Sequence, residues 1–215
     1  CALLHIIPTY SQNGLHFDGL DDYVQTNFNG IQGSASRTVE AWIKVPTVPG
    51  QIVITDWGTT DFGARFTFAL INGYLRTEIH GEGQTGPTLI GDENWHHVAV
   101  VYDNSVGTDK FTMYVDGEVE MSFDLNISVF TASDVNLQIG LRIDGVKPFK
   151  GVMDEVRIWN YAKHQPSIVE DMFVEYCTPP SGLVAYHKFN HGVPGQSNVS
   201  DTTSMDASGF GNHGT

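Results

Sequence analysis

The 215-residue sequence has only two cysteines, few basic residues and no long hydrophobic run. Two cysteines, Cys1 and Cys177, cannot build a framework of several disulfides and leave the redox compartment open. Eleven basic against 25 acidic residues give a formal net charge of −14, which argues against binding to nucleic acid or an anionic membrane. No segment approaches the roughly 18–20 apolar residues of a membrane span.

The residues that are present favour strands and turns over helices. Charged residues make up only 17% of the chain, whereas there are 23 glycines. Apolar residues alternate with polar ones over Thr38–Val45, the period of a half-buried strand. Asn72–Gly73 and Asp116–Gly117 each separate two such strands and indicate tight hairpins. With one helix expected over Gln165–Phe173, this pattern predicts an all-β sandwich of antiparallel sheets.

The start of the chain differs from the rest. An apolar stretch ends at Pro8 and is followed by small residues up to Ser11. We interpret residues 1–11 as the remnant of a secretory signal peptide, with a first β-strand as the alternative. If Cys1 is retained in the mature chain, a bridge to Cys177 would join the two ends.

Five segments carry a resemblance to a known family. They contain short apolar strands with carboxylates at fixed places, and they are Leu15–Val24, Arg37–Ile43, Trp95–Tyr102, Phe111–Gly117 and Val152–Trp159. In this order they resemble the LamG-like jellyroll module of the concanavalin A-like lectin/glucanase superfamily. The resemblance implies a jellyroll domain over residues 12–175, followed by a linker over 176–181. It also implies a secreted or cell-surface modular protein of the Bacteroidetes type.

A second, shorter resemblance begins at Gly182. The sequences of 182–190 and 206–215 are similar to the opening strands of another LamG-like module. Two strands alone are marginally stable in water. We therefore expect residues 182–215 to be either the truncated start of a neighbouring module or a hairpin that docks on the first domain.

The resemblance also implies a structural calcium site. Calcium takes about six to eight oxygen ligands, and Asp18 and Asp154 lie in the first and last family segments. The first and last strands of this superfamily run side by side, so the two carboxylates are expected to converge, with Asp21 and Asp22 as further candidate ligands. The alternative is that these aspartates only form turns.

Carbohydrate binding is the function that the resemblance favours. Candidate ligand-binding residues are the aromatic and planar polar side chains of the middle strands, namely Trp57, Arg65, Tyr74, Arg76 and His80. The expected partner is a glycan or cell-surface polysaccharide. The alternative is a rigid spacer or protein-interaction module of a tandem adhesin, which would contact other proteins or neighbouring modules.

Catalysis is not expected. Retaining glycosidases need two carboxyl groups about 5.5 Å apart, and the Glu-x-Asp-x-x-Glu pattern of the glucanase branch does not occur in this sequence. The sequence also contains no Gly-x-Ser-x-Gly elbow and no phosphate loop. His96 and His97 point to opposite faces of one strand, which disfavours a shared transition metal. A glycoside hydrolase is the least favoured alternative.

Overall fold

The computed structural model describes residues 14–132, 135–190 and 202–215, so the interpretation of residues 1–11 and of Cys1 lies outside the described residues. The strands are β1 (Leu15–Asp18), β2 (Val24–Gln25), β3 (Arg37–Pro46), β4 (Gln51–Gly58), β5 (Arg65–Ile71), β6 (Tyr74–Ile79), β7 (Glu82–Leu89), β8 (Asp92–Tyr102), β9 (Phe111–Val115), β10 (Glu118–Phe123), β11 (Gln138–Ile139), β12 (Lys150–Trp159) and β13 (Leu183–His187), with one helix, α1 (Gln165–Asp171).

The strands form two antiparallel sheets, which confirms the predicted sandwich. One sheet has the order β1-β12-β3-β8-β9-β10, with β13 also paired to β12, and the other has the order β2-β11-β4-β5-β6-β7. Among the described residues, no helix has the length and hydrophobicity needed to cross a membrane.

Local sequence explains both the strands and their turns. In β3 the side chains of Val39, Ala41, Ile43 and Val45 are all fully buried between the sheets, as the alternation predicts. The Asn72–Gly73 turn has φ values of 53° and 86°, the left-handed conformation that a two-residue hairpin between twisted strands requires. The predicted hairpin at β5–β6 is therefore confirmed.

Stacked aromatic rings fill the space between the sheets. Trp57 stacks on Phe66 with ring centroids 4.7 Å apart, and Phe111 stacks on Phe123 at 5.3 Å. The guanidinium of Arg37 lies among them, 5.3 Å from the centre of the Phe66 ring. Arg37 donates to backbone carbonyls of the loop before β3, and burial lowers its pKa to about 10. This arginine satisfies buried carbonyls that the loop leaves free.

Two strands share one edge of β12. β1 pairs with its first half and β13 with Val156–Trp159, while Glu155 between them has φ of 52°. Further along, Gly214 forms bridges with both Thr26 and Ser204. The described part of 182–215 therefore lies on the same sandwich and covers backbone groups of β12 that would otherwise form an open edge.

The outer face of the seven-stranded sheet is covered by α1 and carries a cluster of buried charges. The carboxylate of Glu40 on β3 is fully buried and lies 3.0 Å from the ammonium of Lys163. Lys163 also contacts Asp171 at 3.0 Å and lies 4.3 Å from the centre of the Trp159 ring. His97 is 3.6 Å from Glu40, and burial lowers the pKa of its imidazole to about 4. We call these residues the buried ion cluster.

Candidate functional site

The candidate site lies on the outer face of the six-stranded sheet, near the β4–β5 turn. The alternation that points Phe66 and Ile79 into the core points Arg65, Arg76 and Glu78 outward. These side chains and a neighbouring loop enclose a cavity of about 450 Å³, within the usual range for small-ligand sites. It is lined by Thr60, Arg65, Arg76, Glu78, His80, Gly81, Glu82, Arg142 and Asp144, and we call it the arginine pocket.

Two of the three arginines in the pocket are already paired with carboxylates. Arg76 Nε lies 3.2 Å from Glu78, and Arg142 contacts Asp144 through Nε and Nη2, the latter at 2.8 Å. These pairs fix the guanidinium planes of Arg76 and Arg142 at the walls of the pocket.

Arg65 differs from its two neighbours. Its side chain is only 3% exposed, yet its nearest carboxylate oxygens are 3.8 Å away on Asp56, 3.7 Å on Glu78 and 3.7 Å on Asp144. These separations exceed the normal range of a direct hydrogen bond, and the buried Nε has no partner among the described residues. A buried guanidinium without short hydrogen bonds is costly unless another group supplies them.

Asp56 lies behind Arg65 and is fully buried. Its carboxyl accepts hydrogen bonds from the hydroxyl of Thr67 and, at 2.8 Å, from the backbone N–H of Ile143. Loss of solvation is the largest influence on this group and raises its pKa to about 7, although the two hydrogen bonds and Arg65 act in the opposite direction. The charge beneath the pocket therefore changes near neutral pH.

The structure brings together three of the five predicted ligand-binding residues. Arg65, Arg76 and His80 all line the arginine pocket, and the buried Nδ1 of His80 has no hydrogen-bond partner among the described residues. Tyr74 is at the opposite end of β6 and does not line the pocket. The prediction for Trp57 was wrong. Its indole is completely buried and donates to the carbonyl of Ile31, because strand alternation places it on the core face of β4.

The residues missed from the sequence include Arg142 and Asp144, which line the pocket, and Phe62, which lies beside it. Arg142 and Asp144 belong to an irregular loop after β11, where periodicity gives no information about direction. Phe62 is in the β4–β5 turn, 76% exposed, and a Cβ atom on Gly81 would lie only 2.1 Å from its ring. The sequence offered one signal for Phe62, which is a large aromatic residue within a polar, glycine-containing turn. Phenylalanine is usually buried, so its presence in such a turn is informative.

The predicted metal ligands fall into two separate places. Asp18, Asp21 and Asp22 are exposed, and each offers a carboxylate oxygen within 4.8 Å of the others. We call them the aspartate cluster. The strand register pairs Asp18 with Lys150, which precedes Asp154 by four residues, about 13 Å along β12. The structure therefore does not bring Asp154 to the cluster, contrary to the expected convergence.

Asp154 is instead a buried residue of the sheet. It is 4% exposed, and its carboxylate accepts a hydrogen bond of 2.9 Å from the backbone N–H of Glu155. Loss of solvation and, next, the nearby charge of Glu155 raise its pKa to about 7. Glu155 contacts Arg157.

Comparison with known proteins identifies the family. A family model described as concanavalin A-like lectin/glucanases superfamily matches residues 17–169, most of the chain. The chain belongs to this family of LamG-like domains. Among curated proteins, none matches this chain.

Solved structures with the same fold include several carbohydrate-binding domains. A candidate carbohydrate binding protein from Bacteroides ovatus superimposes with a TM-score of 0.71 at 24% identity, covering 94% of this chain and 58% of that one. The CBM40 domain of a Ruminococcus gnavus sialidase superimposes at 0.54 with 15% identity over 73% of this chain and 97% of its own. Domain 4 of the Geobacillus stearothermophilus arabinanase AbnA superimposes at 0.51 with 19% identity over 69% and 70%. At these identities the similarity establishes the fold.

Proposed function

We propose that this chain is a non-catalytic, extracellular carbohydrate-binding module and that the arginine pocket is its glycan site. The observation that carries the proposal is Arg65, a buried guanidinium that lines a cavity and forms no short hydrogen bond with any described residue. Sugar hydroxyls are able to supply such bonds, because each hydroxyl both donates and accepts. His80 lines the same cavity.

The relatives support the same class of ligand and an extracellular location. The CBM40 domain has been solved with α2,3-sialyllactose bound, and the AbnA domain, from an extracellular enzyme, with arabinotriose bound. Both are glycan-bound domains of the same fold as this chain, attached to enzymes that act on glycans. We infer that this module likewise supplies binding, with any chemistry carried out elsewhere.

Replacing Arg65 with methionine is expected to weaken glycan binding by roughly 10- to 100-fold, because charged hydrogen bonds contribute about 1.5–3 kcal/mol each. The measurement is a glycan array followed by calorimetric titration of the best oligosaccharide. Arg76→Gln, on the partly exposed wall of the pocket, is expected to weaken binding as well and guards against misfolding of the first variant.

Lys110→Met is the matched control, since Lys110 is a cation that lines a different surface cavity. Binding that survives both arginine substitutions would exclude this pocket as the glycan site. If the folded wild-type chain binds no glycan on the array, the proposal falls and the spacer or protein-interaction alternative takes its place.

We also propose that the aspartate cluster binds calcium as a structural ion. Three carboxylates close enough to share one ion match the hard oxygen ligands that calcium prefers. Two of them are held in place, because Asp22 accepts from the N–H of Asp18 at 2.8 Å and Asp18 accepts from the N–H of Leu20 at 2.7 Å. Backbone carbonyls and water would complete the coordination of so exposed a site.

Calcium a few-fold above its dissociation constant is expected to stabilise the wild-type chain by about 1 kcal/mol, which raises the melting temperature by roughly 2–4 °C. Asp21→Asn should abolish this increase when thermal unfolding is compared with calcium and with chelator. Asp154→Asn is the control and should retain the increase, because Asp154 lies outside the cluster. An unchanged calcium response in Asp21→Asn would place the ion elsewhere.

A further inference from the structure

We infer that the arginine pocket takes an uncharged sugar unit, whose adjacent hydroxyls bridge Arg65 to the carboxylates around it while the ring stacks on Phe62. This inference rests on the proposed function and specifies its ligand. It makes the pocket selective against sugars that carry a carboxylate.

The first argument concerns charge. The pocket is lined by three arginines, but also by three carboxylates, those of Glu78, Glu82 and Asp144. Two of the guanidiniums are already paired directly with Glu78 and Asp144, and the third, Arg65, lies 3.7 Å from each of the same two carboxylates. A ligand carboxylate would therefore meet no excess of positive charge and would lie beside fixed negative charges, which is unfavourable at close range.

The second argument concerns distance. Arg65 is separated from Glu78 and from Asp144 by 3.7 Å in each case, too far for a strong direct bond. A hydroxyl oxygen placed beside such a pair can lie within about 2.8 Å of both groups, accepting from the guanidinium and donating to the carboxylate. Because Nη2 of Arg65 lies near Glu78 and Nη1 lies near Asp144, two neighbouring hydroxyls of one sugar ring would each bridge one such pair.

The third argument concerns Phe62 at the rim of the pocket. Its ring is 76% exposed and lies directly against the backbone of Gly81, a pocket residue. Any side chain at position 81 would collide with the ring, which would displace it from this position. An exposed aromatic ring held on backbone beside polar groups provides an apolar surface for the C–H face of a pyranose or furanose.

The test is an array of oligosaccharides in pairs that differ by one acidic residue, such as lactose and α2,3-sialyllactose, probed with the full chain. We expect binding to the neutral members, little dependence on salt between about 50 and 500 mM, and an affinity about 10-fold lower in Phe62→Ala. Phe130→Ala is the matched control, because Phe130 is 71% exposed but lines a different cavity, and it should bind as the wild type does.

Each outcome separates this inference from the proposed function. Binding restricted to the acidic members, or weakened strongly by salt, overturns the neutral-ligand inference and leaves carbohydrate binding intact. Equal affinities of Phe62→Ala and wild type for a neutral glycan remove Phe62 from the site and overturn the stacking part. Absence of binding to every glycan overturns both.

Discussion

Replacing Lys163 with methionine is expected to lower the free energy of unfolding by about 3–5 kcal/mol, because it leaves a fully buried carboxylate without its cation. Lys163 contacts Glu40 at 3.0 Å and Asp171 at 3.0 Å, and Glu40 is 0% exposed. One oxygen of Glu40 already has no hydrogen-bond partner among the described residues. Urea unfolding at pH 7 measures this loss of free energy. Thermal unfolding should give a melting temperature lower by on the order of 10 °C.

Two variants test whether the charge is the cause. Lys188→Met removes a cation that also lies 3.0 Å from a carboxylate, that of Glu175, but at a partly exposed place, so the loss should stay near 1 kcal/mol or below. Adding Glu40→Gln to Lys163→Met removes the uncompensated charge and should recover part of the stability. If Lys163→Met costs no more than Lys188→Met, the buried ion cluster does not hold α1 on the sheet through charge pairing.

Replacing Asp56 with asparagine is expected to make the chain increasingly more stable than wild type as the pH rises. Between about pH 5 and 8 the difference in free energy of unfolding should grow by on the order of 2–4 kcal/mol. The carboxyl of Asp56 has a pKa of about 7 in the fold, above its ordinary 3.8, so between these values the folded chain holds a proton that the unfolded chain has lost. Stability from this group is therefore present at low pH and is lost as the pH rises towards 7. Asparagine stays uncharged throughout.

The difference between the variant and the wild type isolates this group from other titrations. His97 acts in the opposite sense, since its pKa of about 4 makes the fold lose stability as the pH falls from about 6.5. Asp124→Asn serves as the control, because backbone hydrogen bonds from Lys110 and Asp109 lower the pKa of Asp124, and this variant should show no gain with rising pH. Parallel stability curves for Asp56→Asn and wild type would mean that Asp56 is ionised throughout.

Most of the fold follows from local sequence. The alternation at Thr38–Val45 and the left-handed turns at Asn72–Gly73 and Asp116–Gly117 depend only on neighbouring residues, and strand direction and hairpin geometry are set at that range. The same alternation places Arg65 and Arg76 on one face of a sheet. These two candidates could therefore be found before any tertiary contact was known.

The remaining features depend on contacts between distant segments. The register of β1 against β12 separates Asp18 from Asp154 and leaves Asp18 with Asp21 and Asp22, and no local pattern determines such a register between strands so far apart in sequence.

By itself, the sequence determined an acidic β-sandwich of the LamG-like family, with outward-facing arginines on its middle strands. Only the tertiary structure decided that Trp57 faces the core and that a loop distant in sequence brings Arg142 and Asp144 to Arg65. It also decided that Arg65 has no short hydrogen bond among the described residues. The physical reason is that side-chain direction along a strand is a local property, whereas burial, charge pairing and unsatisfied hydrogen bonds depend on which distant groups the fold brings within a few ångströms.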